Sequence, residues 1–482
     1  MASAPLLDRF ASFVSPKWGM QRAAYRAAAE RAAQFSYRGG VPTRTDRDWA
    51  DSRASNWKRE PDQTLDKVRD RSRSLEKNDC IASGLLGRCV ENVVGTGILP
   101  QAMSADESWN DQAEELFTDW MMTQADVRRL GTFFDMQAHL FRAYMRDGDA
   151  GAVLLDSGSL QLIDGDSIAT PPGMESDKTI IDGVKCDALG RPVTFYIAAS
   201  GETEAEKFKP VSADDFIFYP RRKHFNDTRG WPALAEGIGL YDQIEGYIEG
   251  TVAAAQMAAM FGLAFKTAGS QFGTLGQVKD SQGTYRPEQV MEPGMMLHLQ
   301  PGEEVVQIQP HHPGQMFDTF LASMVRILGL PFGIPLEIAF LDFSRTNYSS
   351  ARASLLQAYL TFTCLQRSFI NTFLARVWRW RISKFIKAGE LPERPDAWKH
   401  KWIAPGWPWV DPEKEMKAYK LAIDENLTTR EAVVASQGGD WRQVAKQRAI
   451  EKQEDRRLGI EPPDDKVQAP ADRPAAKGEP TE

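Results

Sequence analysis

Cysteine is sparse in this chain: Cys80, Cys89, Cys186 and Cys364 are spread over 482 positions with no C-x-x-C pair among them. That spacing excludes a dense disulfide framework and the usual thiolate metal site. With no signal-like apolar opening either, a reducing, intracellular setting is expected. Long hydrophobic runs are missing too. The longest, TVAAAQMAAMFGLAF at 251–265, is shorter than the ~20 residues that cross a bilayer and is dominated by alanine, so a packed helix and no membrane partner are expected. Excess positive charge is also lacking. A net charge of −8 argues against coating nucleic acid through overall basicity, although local basic patches survive that average. There is no G-K-[ST] segment to cradle a nucleotide phosphate, so any ATP-driven work nearby would belong to another chain.

What is present is a globular composition, 42% hydrophobic and 26% charged, in a chain long enough for roughly two to four domains. The first 62 residues are rich in alanine and arginine and read as a basic peripheral arm. Helical periodicity then runs through 64–97 to a stop at Gly95 and Gly97, and resumes over 107–121 and 133–146. Between 150 and 220 the pattern changes to short alternating runs such as AGAVLLD and FIFYP, bounded by Asp-Gly and Gly-Arg-Pro turns, which is a strand-rich module. Helices return at Pro232, with Leu234, Ile238, Tyr241, Ile244, Ile248 and Val252 in one apolar stripe. Gly246 and Gly250 lie on that helix, and each costs ~1 kcal/mol relative to alanine; close helix–helix approach would offset this.

A loop- and strand-rich insert follows, then a helix over 315–328 ended by Gly329 and Pro331. A long helix starts after Ser349 and keeps its period to about Ile386. Beyond Pro412 two more helices are expected, the second opened by Thr428 with Glu431 three residues on, a capping-box pattern. The proline- and charge-rich tail from 461 reads as disordered. The fold class expected is mixed α+β and helix-rich.

Candidates for chemistry are weak. His311 and His312 are adjacent, which points their rings apart in an extended chain, and no third ligand falls at metal spacing. Ser74 and Lys77 match S-x-x-K, but with Arg71, Arg73 and Glu76 they read as a solvated helix face. Asp164 and Asp166 flank Gly165 without the further acids of a calcium loop, so a tight turn is expected. Gly95 and Gly97 form a lone G-x-G. In RVWRWRISKF (376–385), Trp378 and Trp380 could stack on bases, yet helical spacing favours packed tryptophans with arginines snorkelling around them. No catalytic residue, cofactor or metal site is expected.

Five segments in a fixed order carry a resemblance: NVVGTGILPQ (92–101), GRPVTFYI (190–197), RGWPALAEGI (229–238), the stretch from LQPGEEVV to FGIPLE (299–337), and TNYSSARASLLQAY (346–359). Together they resemble the portal proteins of the lambda-like family of tailed bacteriophages over about residues 65–450. The resemblance implies a ring, usually a 12-mer, at the portal vertex of the capsid in the virion, assembled in the host cytoplasm. Double-stranded DNA would pass through its axial channel, with the terminase large subunit, head-completion or adaptor proteins, and the major capsid and scaffold proteins as partners. It also implies a portal architecture: wing over 63–229, stem helix over 230–266, clip over 267–313, second stem helix over 314–331, tunnel loop over 332–348, long wing helix and following segment over 349–410, and crown helices over 411–460.

On that reading Asp342, Phe343, Ser344, Arg345 and Thr346 form the channel-facing loop, with Arg345 as its phosphate partner, and Gly246 and Gly250 pack the stem. Read without the resemblance, the same stretch is a capped helix in which Asn347 or Ser349 accepts the first free backbone N–H groups. Two other functions compete. One is a homo-oligomeric hydrolase using Ser74 and Lys77 or the aspartate pair. The other is a different head–tail component, although connectors are usually much smaller than 53.9 kDa.

Overall fold

The computed structural model describes residues 62–198, 208–259, 262–267, 278–279, 285–286, 303–308, 317–344, 346–407 and 411–460. The basic arm before residue 62, the tail from 461, and His311 and His312 lie outside them. The chain divides into two compact units, Met1–Lys67 with His224–Asp227, and Val68–Lys223 with Thr228–Glu482. In the first, the described part is the start of one helix and a turn in which the His224 amide donates to Asp227 Oδ2 at 2.8 Å. Everything below from Val68 onward belongs to the second unit.

Helices α1 (Asp62–Asn78) and α2 (Cys80–Val93) replace the single run expected over 64–97. The break has a local cause: Asp79 adopts an extended backbone and its carboxylate accepts from the Ala82 amide at 2.7 Å, which makes it the N-cap of α2. Gly95 and Gly97 then turn the chain at φ 53° and 113°, and a Cβ on Gly97 would collide with the Phe134 ring. Strand β1 (Leu99–Ala102) leads to α3 (Glu107–Thr123), capped by Asp106, and α4 (Phe133–Asp147), opened by a Thr132–Asp135 capping box and stopped by left-handed Gly148.

The strand-rich module follows as β2 (Asp149–Leu154), β3 (Leu160–Asp164), β4 (Ile180–Ile181), β5 (Val184–Cys186), β6 (Pro192–Ala198), β7 (Phe208–Ser212) and β8 (Phe216–Pro220). They form two antiparallel sheets, ordered β3-β2-β8 and β4-β5-β6-β7. Ile163 and Phe216 of the first meet Val184, Phe195 and Ile197 of the second in a small apolar core.

Helix α5 (Ile238–Ala259) is followed by β9 (Gly262–Thr267), β10 (Val278–Lys279), β11 (Tyr285–Arg286) and β12 (Glu303–Ile308). The helix expected over 230–266 therefore ends early, because β9 pairs antiparallel with β12 from Gly262↔Ile308 to Thr267↔Glu303. Next come α6 (Phe317–Gly329), α7 (Leu336–Phe340) and α8 (Tyr348–Phe369). The segment 332–348 is thus not all loop, since α7 occupies part of it.

A π-turn at Ile370–Leu374 joins α8 directly to α9 (Ala375–Ala388), giving one helical run about 60 Å long at ~1.5 Å per residue. Strand β13 (His400–Ile403) pairs with β1 across some three hundred residues of sequence, and three helices close the described chain: α10 (Pro412–Asp424), α11 (Arg430–Ser436) and α12 (Trp441–Leu458). Only two were expected there. The cap of α11 is Thr429, not Thr428; its hydroxyl accepts from the Ala432 amide at 3.1 Å. Glu431 pairs with Lys401 at 2.8 Å instead of reaching back to the cap.

The main core lies around the α8–α9 run. Phe117 packs on Trp378 at 5.0 Å and Trp120 on Phe133 at 5.3 Å, while Phe369 and Phe373, one on each side of the π-turn boundary, stack at 5.5 Å. Among the described residues no helix is long and apolar enough to cross a membrane.

Candidate functional site

Three features stand out: the α5/α6 pair, the loop before α8, and a buried charge cluster. At its root α5 buries Tyr241 and Ile244, and farther along Tyr247 stacks on Phe317 at 5.7 Å and meets Phe320 at 4.6 Å. The opposite side of α5 carries Asp242, Glu245, Gly246, Glu249 and Gly250, all exposed; their spacing places them on one helical face. No described atom lies within 4 Å of a Cβ built on Gly246 or Gly250. The close packing expected of these glycines is therefore not made within the described chain, because α6 contacts the other side of α5.

The loop turns at Leu341, which adopts a left-handed conformation at φ 53°. The Asp342 carboxylate accepts from the Ser344 amide at 2.9 Å; hydrogen bonds from the Ser344 side chain and backbone hold its pKa below the usual range. The Thr346 amide and hydroxyl both donate to the Phe343 carbonyl at 3.2 Å. Phe343 is exposed to solvent. Arg345 lies outside the described residues. Asn347 is the N-cap of α8, accepting from the Ser350 amide at 2.9 Å. Ser349 sits inside the first turn at a helical position and so does not cap.

The charge cluster had no sequence signal beyond the Arg-Gly-Trp-Pro stretch itself. The Arg229 guanidinium forks onto Asp149, Nε to Oδ2 at 2.7 Å and Nη2 to Oδ1 at 3.0 Å. Arg69 reaches Asp149 at 3.2 Å and Asp182 at 3.3 Å. Burial alone would raise the Asp149 pKa, but the Arg229 and Arg69 guanidiniums beside it, with the Gly230 amide, bring it below the ordinary value.

At the edge of the cluster Arg73 binds Asp147 at 2.8 Å and Asp166 at 3.0 Å, and Arg146 binds Asp164 at 3.2 Å. Asp164 and Asp166 are therefore ion-pair partners beside a 3-10 turn at Gly165–Ser167, and among the described residues no group of side chains is placed to hold a metal. Arg73 and Glu76 belong to this network, so that face of α1 is not wholly solvated.

Ser74 and Lys77 do lie exposed on α1, and the Ser74 hydroxyl accepts from the Asn78 amide group at 3.3 Å. Trp378 is fully buried, and Arg381 lies over Phe385 at 4.2 Å and over Trp120 at 5.4 Å. Packing with snorkelling arginines is the arrangement found, and base stacking by Trp378 is excluded by its burial.

Against known proteins, residues 43–366 match the family described as "Phage portal protein, lambda family". The chain belongs to that family. Two curated portal proteins are similar to it along most of their length. The "Probable portal protein" of Halomonas phage phiHAP-1 is 24% identical over 429 residues, 82% of each chain. The "Portal protein" of Escherichia phage N15 is 20% identical over 400 residues, 74% of this portal protein and 75% of that one. Among solved structures, a chain of the native gene transfer agent virion aligns with a TM-score of 0.46 at 14% identity, covering 80% of this chain and 94% of that one.

Proposed function

We propose that this portal protein is a structural conduit without catalysis. Copies of it, twelve in the assembled particle, close into a ring at one capsid vertex, and double-stranded DNA moves through the axial channel. A terminase docks on the 267–313 insert during packaging, and head-completion or adaptor proteins replace it afterwards. Assembly with the major capsid and scaffold proteins takes place in the host cytoplasm. In this reading α5 and α6 are the stem, 63–229 and the α8–α9 run are the wing, and α10 to α12 are the crown.

The observation that carries the proposal is the exposed face of α5, where Asp242, Glu245 and Glu249 alternate with Gly246 and Gly250. Glycine removes the side chain that would hold a neighbouring copy away. Carboxylates facing a channel repel phosphates, so the duplex passes without sticking. The Asp342–Thr346 segment is the tunnel loop, and Arg345 supplies its one cation for transient phosphate contact.

Negative-stain electron microscopy of the purified protein tests the ring. Flat rings with a central hole wide enough for a duplex are expected, and a compact monomer at high concentration overturns the reading. Arg345→Glu should alter DNA packaging or retention while rings still form; loss of rings instead would make Arg345 a structural residue.

A further inference from the structure

The four charges of Arg69, Asp149, Asp182 and Arg229 are all but inaccessible, at 1%, 0%, 6% and 4% exposure. A cluster of this kind is a poor source of stability, since well-packed apolar residues in its place are often neutral or better. It is a strong source of direction. All five N–H donors of a guanidinium are used on Arg229: two go to Asp149, and the others to the carbonyls of Ile168, Asp182 and Gly165. With every donor committed, the side chain has one orientation relative to β2, to the Gly165 turn and to the loop before β5.

The backbone beside it is fixed as well. The Gly230 amide donates to Asp149 Oδ2 at 3.0 Å. The Trp231 amide donates to Arg221, the Arg221 amide to Gly148 and the Ala233 amide to Met145. Segment 229–233 is thus anchored to the end of α4 and the start of β2, and α5 begins five residues later. One side of α5 is packed, at the root through Tyr241 and Ile244 and farther along through Ile248 and the Tyr247 contact with α6, whereas Asp242, Glu245, Gly246, Glu249 and Gly250 stand in solvent. Any freedom at the root would be multiplied along the helix.

We infer that the buried Arg69–Asp149–Asp182–Arg229 cluster is a positioning device that fixes the direction in which α5 projects. The importance of that direction for ring closure rests on the conduit reading, because each copy must present the same α5 face to the next. The direction itself does not depend on it.

A distance measurement reads the direction without requiring a ring. Exposed Cys80 and Cys364 are replaced by serine, and spin labels are placed at His139→Cys on α4 and Gln256→Cys on α5, both exposed positions. The full-length labelled protein is diluted with unlabelled copies, and the interspin distribution is recorded by pulsed electron resonance. In an otherwise native background one narrow distribution is expected.

Two further backgrounds are then compared. In one, Arg69→Met, Asp149→Leu, Asp182→Leu and Arg229→Met make the cluster apolar. In the other, Arg229→Lys keeps the charge but offers three donors in place of a planar fork. In the apolar background the melting midpoint should stay within about 5 °C of the parent, whereas the lysine variant, with two acceptors left unpaired, should melt lower. In both, the distribution broadens about twofold and rings fall in yield about tenfold. A folded variant of either kind with an unbroadened distribution overturns the inference. Narrow parent distributions with no rings, in contrast, would leave the positioning role standing and overturn the conduit reading. The lysine variant decides the matter if the apolar one does not fold.

Discussion

At the scale of single residues, Gly148 and Gly230 cross with their backbones almost touching. A Cβ on Gly230 would overlap the Gly148 carbonyl, and Gly148 itself sits at φ +88°. The neighbouring atoms are backbone and cannot rotate away, so Gly230→Ala should destabilise the protein by about 2–4 kcal/mol, measured as a lowered urea midpoint against the parent. An unchanged midpoint would mean that the crossing relaxes freely.

Beneath that crossing lies Asp149, whose carboxyl is held below its ordinary pKa. A carboxylate depressed in the fold binds protons less readily than in the unfolded chain, where the value is ~3.9. Its contribution is therefore complete above that range and is lost as pH falls through the lower folded value. The urea midpoint should drop below about pH 4, and the drop should be smaller in Asp149→Asn. Equal acid sensitivity in the two proteins would assign the loss to other carboxylates.

At the scale of elements, the helix ends follow local chemistry, but only some are read from it. The runs over 107–121 and 133–146 agree closely with α3 and α4, whereas the Asp79 break, the early end of α5 and the Thr429 cap were not anticipated. The periodicity of α4, and the alternation that became the two antiparallel sheets, are short-range patterns. What the sequence hid is non-local. The β1–β13 pair joins Leu99 to Ile403, and the charge cluster joins residues 80 apart and more, such as Arg69 and Asp149. Neither partner in such a contact marks itself by spacing.

Intermediate cases were half legible. The α5 period runs through alanine-rich sequence that favours helix, and pairing of Gly262–Thr267 with β12, a non-local contact, sets the boundary. The loop before α8 shows the same division: Asn347 and Ser349 both fit an N-cap by residue type, and the structure selects Asn347 because only it has the extended backbone. Asn347→Ala should therefore cost about 1 kcal/mol, and Ser349→Ala much less, by thermal unfolding followed in the helical circular dichroism band. Equal losses would remove Asn347 as the capping residue.

At the scale of the whole molecule, the net charge of −8 matters through where its acids lie. If α5 lines a channel, the face bearing Asp242, Glu245 and Glu249 is what a passing duplex meets, repeated once per copy around the ring. Repulsion keeps the polyanion centred and costs nothing as it slides, because no contact has to be broken at each step. Reversing the face with Asp242→Lys, Glu245→Lys and Glu249→Lys replaces that repulsion with counterion-releasing contacts.

The variant should still form rings, since Gly246, Gly250 and the buried side of α5 are untouched. It should hold linear DNA at low salt, with retention that falls steeply between about 50 and 200 mM salt, as phosphate-neutralising contacts do. Packaging through such a ring should slow or stall. Measured by co-sedimentation of rings with DNA across a salt series, parent-like indifference to DNA in a ring-forming variant would place the α5 acids outside the channel. Gly246 and Gly250 would then be left to explain the face through contact with the neighbouring copy alone.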